Sequence, residues 1–190
     1  MTVWFASGNE HKRKEVAGIL SKHTIKIPLD EGIAFDPAES GKTFVDNALL
    51  KARALFELTG EPVIADDSGL CVDALGGRPG IFSARYGGGK KISDSERNAL
   101  LLREIGNNQL RSARFVCAFV LLLDNERFFI AQETLEGEIV TDPCGDGGFG
   151  YDPLLYIREK GCTVSQLTEV EKNKISHRAK AAAAIARWLD

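Results

Sequence analysis

Apolar and polar positions along this chain alternate with two periods, and the switches between them mark out its elements. Residues 3–6 are a short apolar run that breaks at Gly8, as a buried strand does, and residues 12–21 then carry Val16, Ile19 and Leu20 at helical spacing. A second strand is expected over residues 24–29. A second helix is expected from Thr43, whose hydroxyl can cap it while Asp46 occupies the third helical position. Phe44, Ala48, Ala52 and Leu55 share one face of that helix, and Gly60 ends it. Residues 63–65 and 71–75 read as short strands on either side of an acidic turn, and residues 95–105 as a helix with Leu101, Leu102 and Ile105 inward. The longest apolar run, 113–123, is turned by Asp124, Asn125 and Glu126 into residues 127–135, which predicts an antiparallel hairpin at the centre of a sheet. A glycine-rich loop at 144–151 precedes a strand at 154–157, a short helix near Thr168 and a final helix over residues 177–189. Strands alternating with helices, with one hairpin among them, predict an α/β fold on a mixed sheet.

Composition narrows the class of protein. With 190 residues the chain has the length of a single domain, 1–190, and 44% hydrophobic with 27% charged residues is the make-up of an ordinary globular protein. A net charge of −3 excludes broad electrostatic coating of nucleic acid, so any anionic ligand must be held by a local cluster of donors. Cys71, Cys117, Cys144 and Cys162 show no C-x-x-C pair, and buried, reduced thiols are expected. The apolar run at the N-terminus is too short for a signal peptide, and no segment approaches eighteen uncharged apolar residues; cytoplasmic residence without a membrane or nucleic-acid partner is expected.

Candidate chemistry is concentrated in a few stretches. Ser7, Gly8, Asn9, Glu10, His11 and Lys12 form a polar turn between a strand and a helix, where backbone N–H groups and the helix dipole favour an anion. The turn is neither G-x-G-x-x-G nor a P-loop, and Lys12, Arg13 and Lys14 read equally as a solvated helix face. Asp66, Asp67 and Ser68 follow an apolar run. Successive strand side chains point to opposite faces, so one carboxylate faces a given site and the other braces it; the pair suits Mg²⁺ bound with substrate phosphates, and equally a capped turn. Glu39 is a further candidate oxygen ligand or a surface residue. The glycines around Phe149 let backbone approach a flat ligand on which the ring could stack, or form a hairpin with a core Phe. Lys172, Ser176, His177 and Arg178 gather donors at the start of the last helix, where His177 and Arg178 could reach one carbonyl-bearing ligand.

These stretches together resemble the inosine/xanthosine triphosphate pyrophosphatases. The likeness spans nearly the whole chain: S-G-N-x-x-K from Ser7, E-S-G-x-T-F from Glu39, N-A-x-x-K-A from Asn47, A-D-D-S-G-L from Ala65, L-G-G-x-P-G-I-x-S-A-R-Y from Leu75, G-G-F-G-Y-D-P from Gly147 and K-x-x-I-S-H-R from Lys172. The resemblance implies a long mixed sheet flanked by helices, two lobes with an active-site cleft between them, and a homodimer. It implies hydrolysis of ITP, dITP and XTP to the monophosphate and pyrophosphate, with Mg²⁺ as cofactor. By the same resemblance Ser7, Asn9, Lys12 and Lys51 contact the triphosphate, Asp67 activates water, Glu39 and Asp67 hold Mg²⁺, Asp66 supports them and Ser68 touches substrate. Phe149, Gly150, Tyr151, Asp152, Lys172, His177 and Arg178 would surround the base, with Phe149 stacking and His177 and Arg178 donating to the 6-keto oxygen. Adenine presents an amino group there, and a site built to hydrogen-bond one group can reject an analogue lacking it by roughly 10⁴–10⁵. Ser7, where many members have Thr, and Asp146 depart from the pattern, and the segment 87–91, where members vary in length, is read as a mobile loop. A Maf-type pyrophosphatase acting on pyrimidine or modified nucleotides and a non-enzymatic nucleotide-binding module are the rival readings; a Rossmann oxidoreductase fails for want of its glycine fingerprint.

Overall fold

The computed structural model describes residues 1–88 and 92–189. Along the chain run β1 (Thr2–Phe5), α1 (Glu10–Ile19), β2 (Thr24–Lys26), α2 (Phe44–Thr59), β3 (Val63–Val72), α3 (Asp94–Ile105), β4 (Ser112–Leu122), β5 (Phe128–Ile139), β6 (Leu155–Ile157), β7 (Cys162–Thr163), α4 (Glu169–Ile175) and α5 (His177–Ala186). Among the described residues the strands form one sheet in the order β2-β1-β3-β4-β5-β6-β7. β1 is parallel to β2 and β3, whereas β6 is antiparallel to β5 and β7, so the sheet is mixed as expected. β4 and β5 are neighbours joined by a short turn in which the Arg127 carbonyl accepts from the Leu123 N–H, a connection that permits the antiparallel hairpin and no parallel one.

The helix boundaries follow from their caps. Thr43 accepts from the Asp46 N–H while the Asp46 carboxylate accepts from the Thr43 N–H, and Gly60 closes α2 at φ 65°, where a residue without Cβ is unstrained. Ser93 and Glu96 build the same reciprocal cap on α3. Pro28 opens a 3₁₀ turn (Pro28–Glu31) and cuts β2 shorter than the predicted strand, because proline has no N–H for the ladder.

One expectation changes in a way that matters. The predicted pair of short strands around an acidic turn is a single continuous strand, β3, with Asp66 and Asp67 in its middle and nearly inaccessible at 0% and 6% exposure. The chain stays extended because side chains reach both carboxylates from the helices, so no turn is needed to bring them to water. Gly69 serves the same strand: a Cβ there would lie 2.4 Å from the Gly80 carbonyl and from Ser83 Oγ. Gly76, Gly77 and Gly80 have positive φ with open space around them, so they shape turns rather than admit a neighbour.

The chain divides into two units, neither of them contiguous in sequence: Met1–Asp67 with Cys117–Glu133 and Ser176–Asp190, and Ser68–Val116 with Thr134–Ile175. The first is built around Val3, Phe5, Val16, Ile64, Phe119, Leu121 and Ile185, and the second around Leu70, Val72, Leu101, Phe115, Leu135, Leu154 and Val164. The cysteines are thiols, but only Cys117 is buried, and Cys144 is exposed, contrary to expectation. The expected loop at 87–91 falls, from Gly89 to Lys91, outside the described residues. No helix among the described residues is long and apolar enough to cross a membrane.

Candidate active site

In the first unit, strand alternation on β3 gives the two adjacent carboxylates different partners. Asp66 Oδ2 receives Lys12 Nζ from α1 at 2.9 Å, Arg178 Nε and Nη2 from α5 at 3.2 and 3.1 Å, and the Cys117 thiol from β4 at 3.9 Å. Arg178, 1% exposed, is held on its other side by Glu15. Asp66 Oδ1 has no hydrogen-bond partner among the described residues. Asp67 turns instead to α2: Asn47 Nδ2 donates to its Oδ2 at 3.1 Å, and Lys51 Nζ lies 3.7 Å from its Oδ1 and donates to Glu39 Oε1 at 3.0 Å.

The surroundings shift the pKa values of the two neighbours in opposite directions. Burial pushes Asp66 up, but Lys12, Arg178 and Lys51 together outweigh it and hold the carboxyl well below the usual range. Burial also pushes Asp67 up, helped by the nearby Glu39 charge; Lys51, Lys12 and the Asn47 hydrogen bond oppose it without cancelling it, so its pKa is raised. Burial disfavours the Lys51 ammonium, and Asp66, Asp67 and Glu39 more than restore it.

In the second unit, Asp152 organises the glycine-rich loop. Its Oδ2 accepts from the Phe149 N–H at 2.9 Å and from Lys172 Nζ of α4 at 2.7 Å, and the same ammonium sits 4.7 Å from the centre of the half-buried Phe149 ring. Tyr151 donates its hydroxyl to the Ser83 carbonyl at 2.9 Å. The glycines make room for protein: a Cβ on Gly148 would lie 2.1 Å from Asp152 Oδ2, and Cβ atoms on Gly145 and Gly147 would strike Ser165. Three of the loop glycines therefore lie against Asp152 and Ser165, while Gly150 faces open space.

A model of the Ham1 family matches residues 3–188. The chain belongs to the Ham1 family. It is 50% identical to a protein of Treponema denticola named dITP/XTP pyrophosphatase, covering 100% of this chain and 98% of that one. It is 47% identical to a protein of the same name from Geobacillus kaustophilus over 93% of this chain and 88% of the other. Among solved structures it resembles the Ham1 proteins of Staphylococcus aureus, with a TM-score of 0.89 at 37% identity, and of Coxiella burnetii, with 0.90 at 36%; each alignment covers 100% of this chain and 98% of the other. The relatives carry the purine name that the resemblance implied.

Seen as a Ham1 chain, its motif residues fall into two groups. Lys12, Glu39, Lys51, Asp66, Asp67 and Arg178 come together in the first unit, and Phe149, Gly150, Tyr151, Asp152 and Lys172 in the second. Arg178, expected beside the base, has its guanidinium on Asp66 and Glu15, since a cation this deeply buried requires carboxylate partners. Asn9 caps α1, its Oδ1 accepting from the His11 and Lys12 N–H groups, and Ser7 Oγ accepts from the Asn9 N–H. Gly8, Glu10 and His11 line the exposed start of that helix, with Glu10 paired to Arg13, while His177 is buried and Ser68 is half-buried. Asp146 is exposed.

The motif reading overlooked Glu15, Asn47 and Cys117, which the structure sets against Arg178, Asp67 and Asp66. Two of them left a readable signal: Asn47 precedes Lys51 by four positions and Glu15 follows Lys12 by three, so each shares a helix face with a predicted ligand. One consequence of the loop packing is testable by calorimetry. Gly148→Ala, with φ 73° and a blocked Cβ, is expected to destabilise by more than about 1 kcal/mol, and Gly150→Ala, at φ 63° in open space, by about 1 kcal/mol or less.

Proposed function

We propose that this Ham1 chain hydrolyses non-standard purine nucleoside triphosphates, namely ITP, dITP and XTP, to the monophosphate and pyrophosphate. The observation that carries the reading is the different company of the two adjacent carboxylates: Asp66 is held by Lys12 and Arg178, whereas Asp67 meets Asn47 and Lys51 and has its pKa raised by burial. Two carboxyl groups driven apart by their surroundings mark a division of labour between anchor and base. Asp67 is the base: it takes the proton of a water whose oxygen bonds to the α-phosphorus as the bond to the bridging oxygen of the pyrophosphate breaks. Asp66 anchors Lys12 and Arg178, and Lys12 and Lys51 offset the charge that develops on the departing pyrophosphate.

Mg²⁺ fits the residues present. Glu39 and Asp67 both direct oxygens at the Lys51 ammonium, and no cluster of three or more metal-binding side chains exists among the described residues. Two hard oxygen donors suit an ion that completes its shell with water and substrate phosphate, so Glu39 and Asp67 would hold it. When bound, the ion supplies charge neutralisation at the phosphates. Phe149 is the base platform, with Lys172 and Asp152 fixing its pose, and His177 is the donor that favours a 6-keto group. The homodimer belongs to the same reading, and light scattering on the purified chain tests it.

The deciding experiment measures pyrophosphate released from ITP, dITP, XTP, GTP, ATP and UTP, with Mg²⁺ and with chelator. The expected result is strong preference for ITP, dITP and XTP that chelation abolishes. Equal rates across purines, a preference for UTP, or release of orthophosphate would overturn the reading.

A further inference from the structure

The glycine-rich loop is held from outside by helix α3, a contact that the proposed chemistry does not use. Asp94, in the first turn of α3, accepts the Gly150 N–H on Oδ2 at 2.7 Å while its Oδ1 takes Arg97 Nη1 at 2.5 Å. One turn further on, Asn98 donates Nδ2 to the Gly150 carbonyl at 3.0 Å. The Gly150 N–H belongs to the peptide that follows Phe149, and the Gly150 carbonyl to the peptide that precedes Tyr151. Pinning both planes fixes φ and ψ of the glycine between them, at φ 63°, and glycine is the residue whose backbone is otherwise least constrained.

Asn98 is a costly residue for mere packing. It is 5% exposed, and its Oδ1 has no hydrogen-bond partner among the described residues. An apolar side chain would fill that place at less expense. What the amide provides is a donor aimed at one carbonyl, and the reverse orientation would set its oxygen against the Gly150 oxygen.

We propose that Asp94 and Asn98 are positioning residues for the nucleotide base: by locking Gly150 they set the pitch of the Phe149 ring relative to Lys172 and Asp152. The proposal rests on the reading of Phe149 as the base platform. It places a determinant of substrate affinity and purine preference on α3, which contributes no group to the base site itself. The two residues act on one dihedral pair, so freeing either plane releases most of the constraint, and the loss in the double variant is smaller than the sum of the single losses.

The test is steady-state kinetics with ITP and ATP on Asn98→Ala, Asp94→Ala, the double variant and Phe149→Ala, with melting temperatures measured in parallel. The expected result for each α3 variant is a KM for ITP raised about five- to tenfold, kcat within about twofold of wild type, and a reduced ITP-to-ATP ratio of kcat/KM. Asp94 is half-exposed, so Asp94→Ala carries the test if Asn98→Ala does not fold. If Phe149→Ala raises KM and both α3 variants leave it unchanged, or lower kcat and melting temperature with no change in KM, the positioning role is overturned. If Phe149→Ala itself leaves KM and the ratio untouched, the base-platform reading fails, and the α3 proposal with it.

Discussion

Asp67→Asn is expected to cut pyrophosphate release from ITP by at least about 100-fold, with KM within a few-fold of wild type and no loss of melting temperature. A positioned general base contributes roughly 10²–10⁴-fold, and the amide removes proton acceptance while keeping shape and an oxygen for the Asn47 donor. Stability should hold because the Asp67 pKa is raised: the fold already disfavours its charged form, and Lys51 retains Glu39. Stopped assays with saturating ITP and a thermal melt check both halves. Hydrolysis near the wild-type rate would remove Asp67 from its assigned role.

The neighbouring residue should behave in the opposite way. Asp66→Ala is expected to destabilise the fold by about 3–5 kcal/mol, because it strips the buried Arg178 of one of its two carboxylates and leaves Lys12 without the one it touches. For a chain of this size that corresponds to a fall in melting temperature of roughly 10 °C. The effect has a sign in pH. The Asp66 pKa is depressed on folding, so its contribution is fully present above the unfolded value of about 3.9 and is lost as pH falls through the lower folded value. Denaturant midpoints of wild type and Asp66→Ala should therefore differ most near neutrality and converge in acid. A gap that is small at pH 7, or constant with pH, would show that Asp66 does not carry the cluster.

Much of the fold was legible because it is encoded locally. The caps at Thr43 and Ser93, the apolar face of α2 and the turn at Asp124 each lie within a few residues of what they control. The candidate site was legible as motifs but not as partnerships. Asp66 and Arg178 stand 112 positions apart, and Arg178 and Glu15 stand 163 apart; no periodicity links such pairs. Asp94 and Asn98 looked like the ordinary polar face of a helix, and their hold on Gly150 exists only because the fold carries a loop 52 and 56 positions away to that face.

By itself the sequence determined the alternating α/β framework, the helix ends and the set of candidate residues for an anionic nucleotide. It also determined that Asp66 and Asp67 point to opposite sides, since that is a property of any extended strand. Which side received Lys12 and Arg178, and which received Asn47, Lys51 and Glu39, was decided by the tertiary structure. Helices α1 and α5 bring Lys12 and Arg178 into contact with Asp66 and α2 brings Asn47 and Lys51 to Asp67; burial raises both carboxyls, and only at Asp66 do the cations outweigh it. Two chemically identical neighbours acquire opposite pKa shifts through that difference in surroundings.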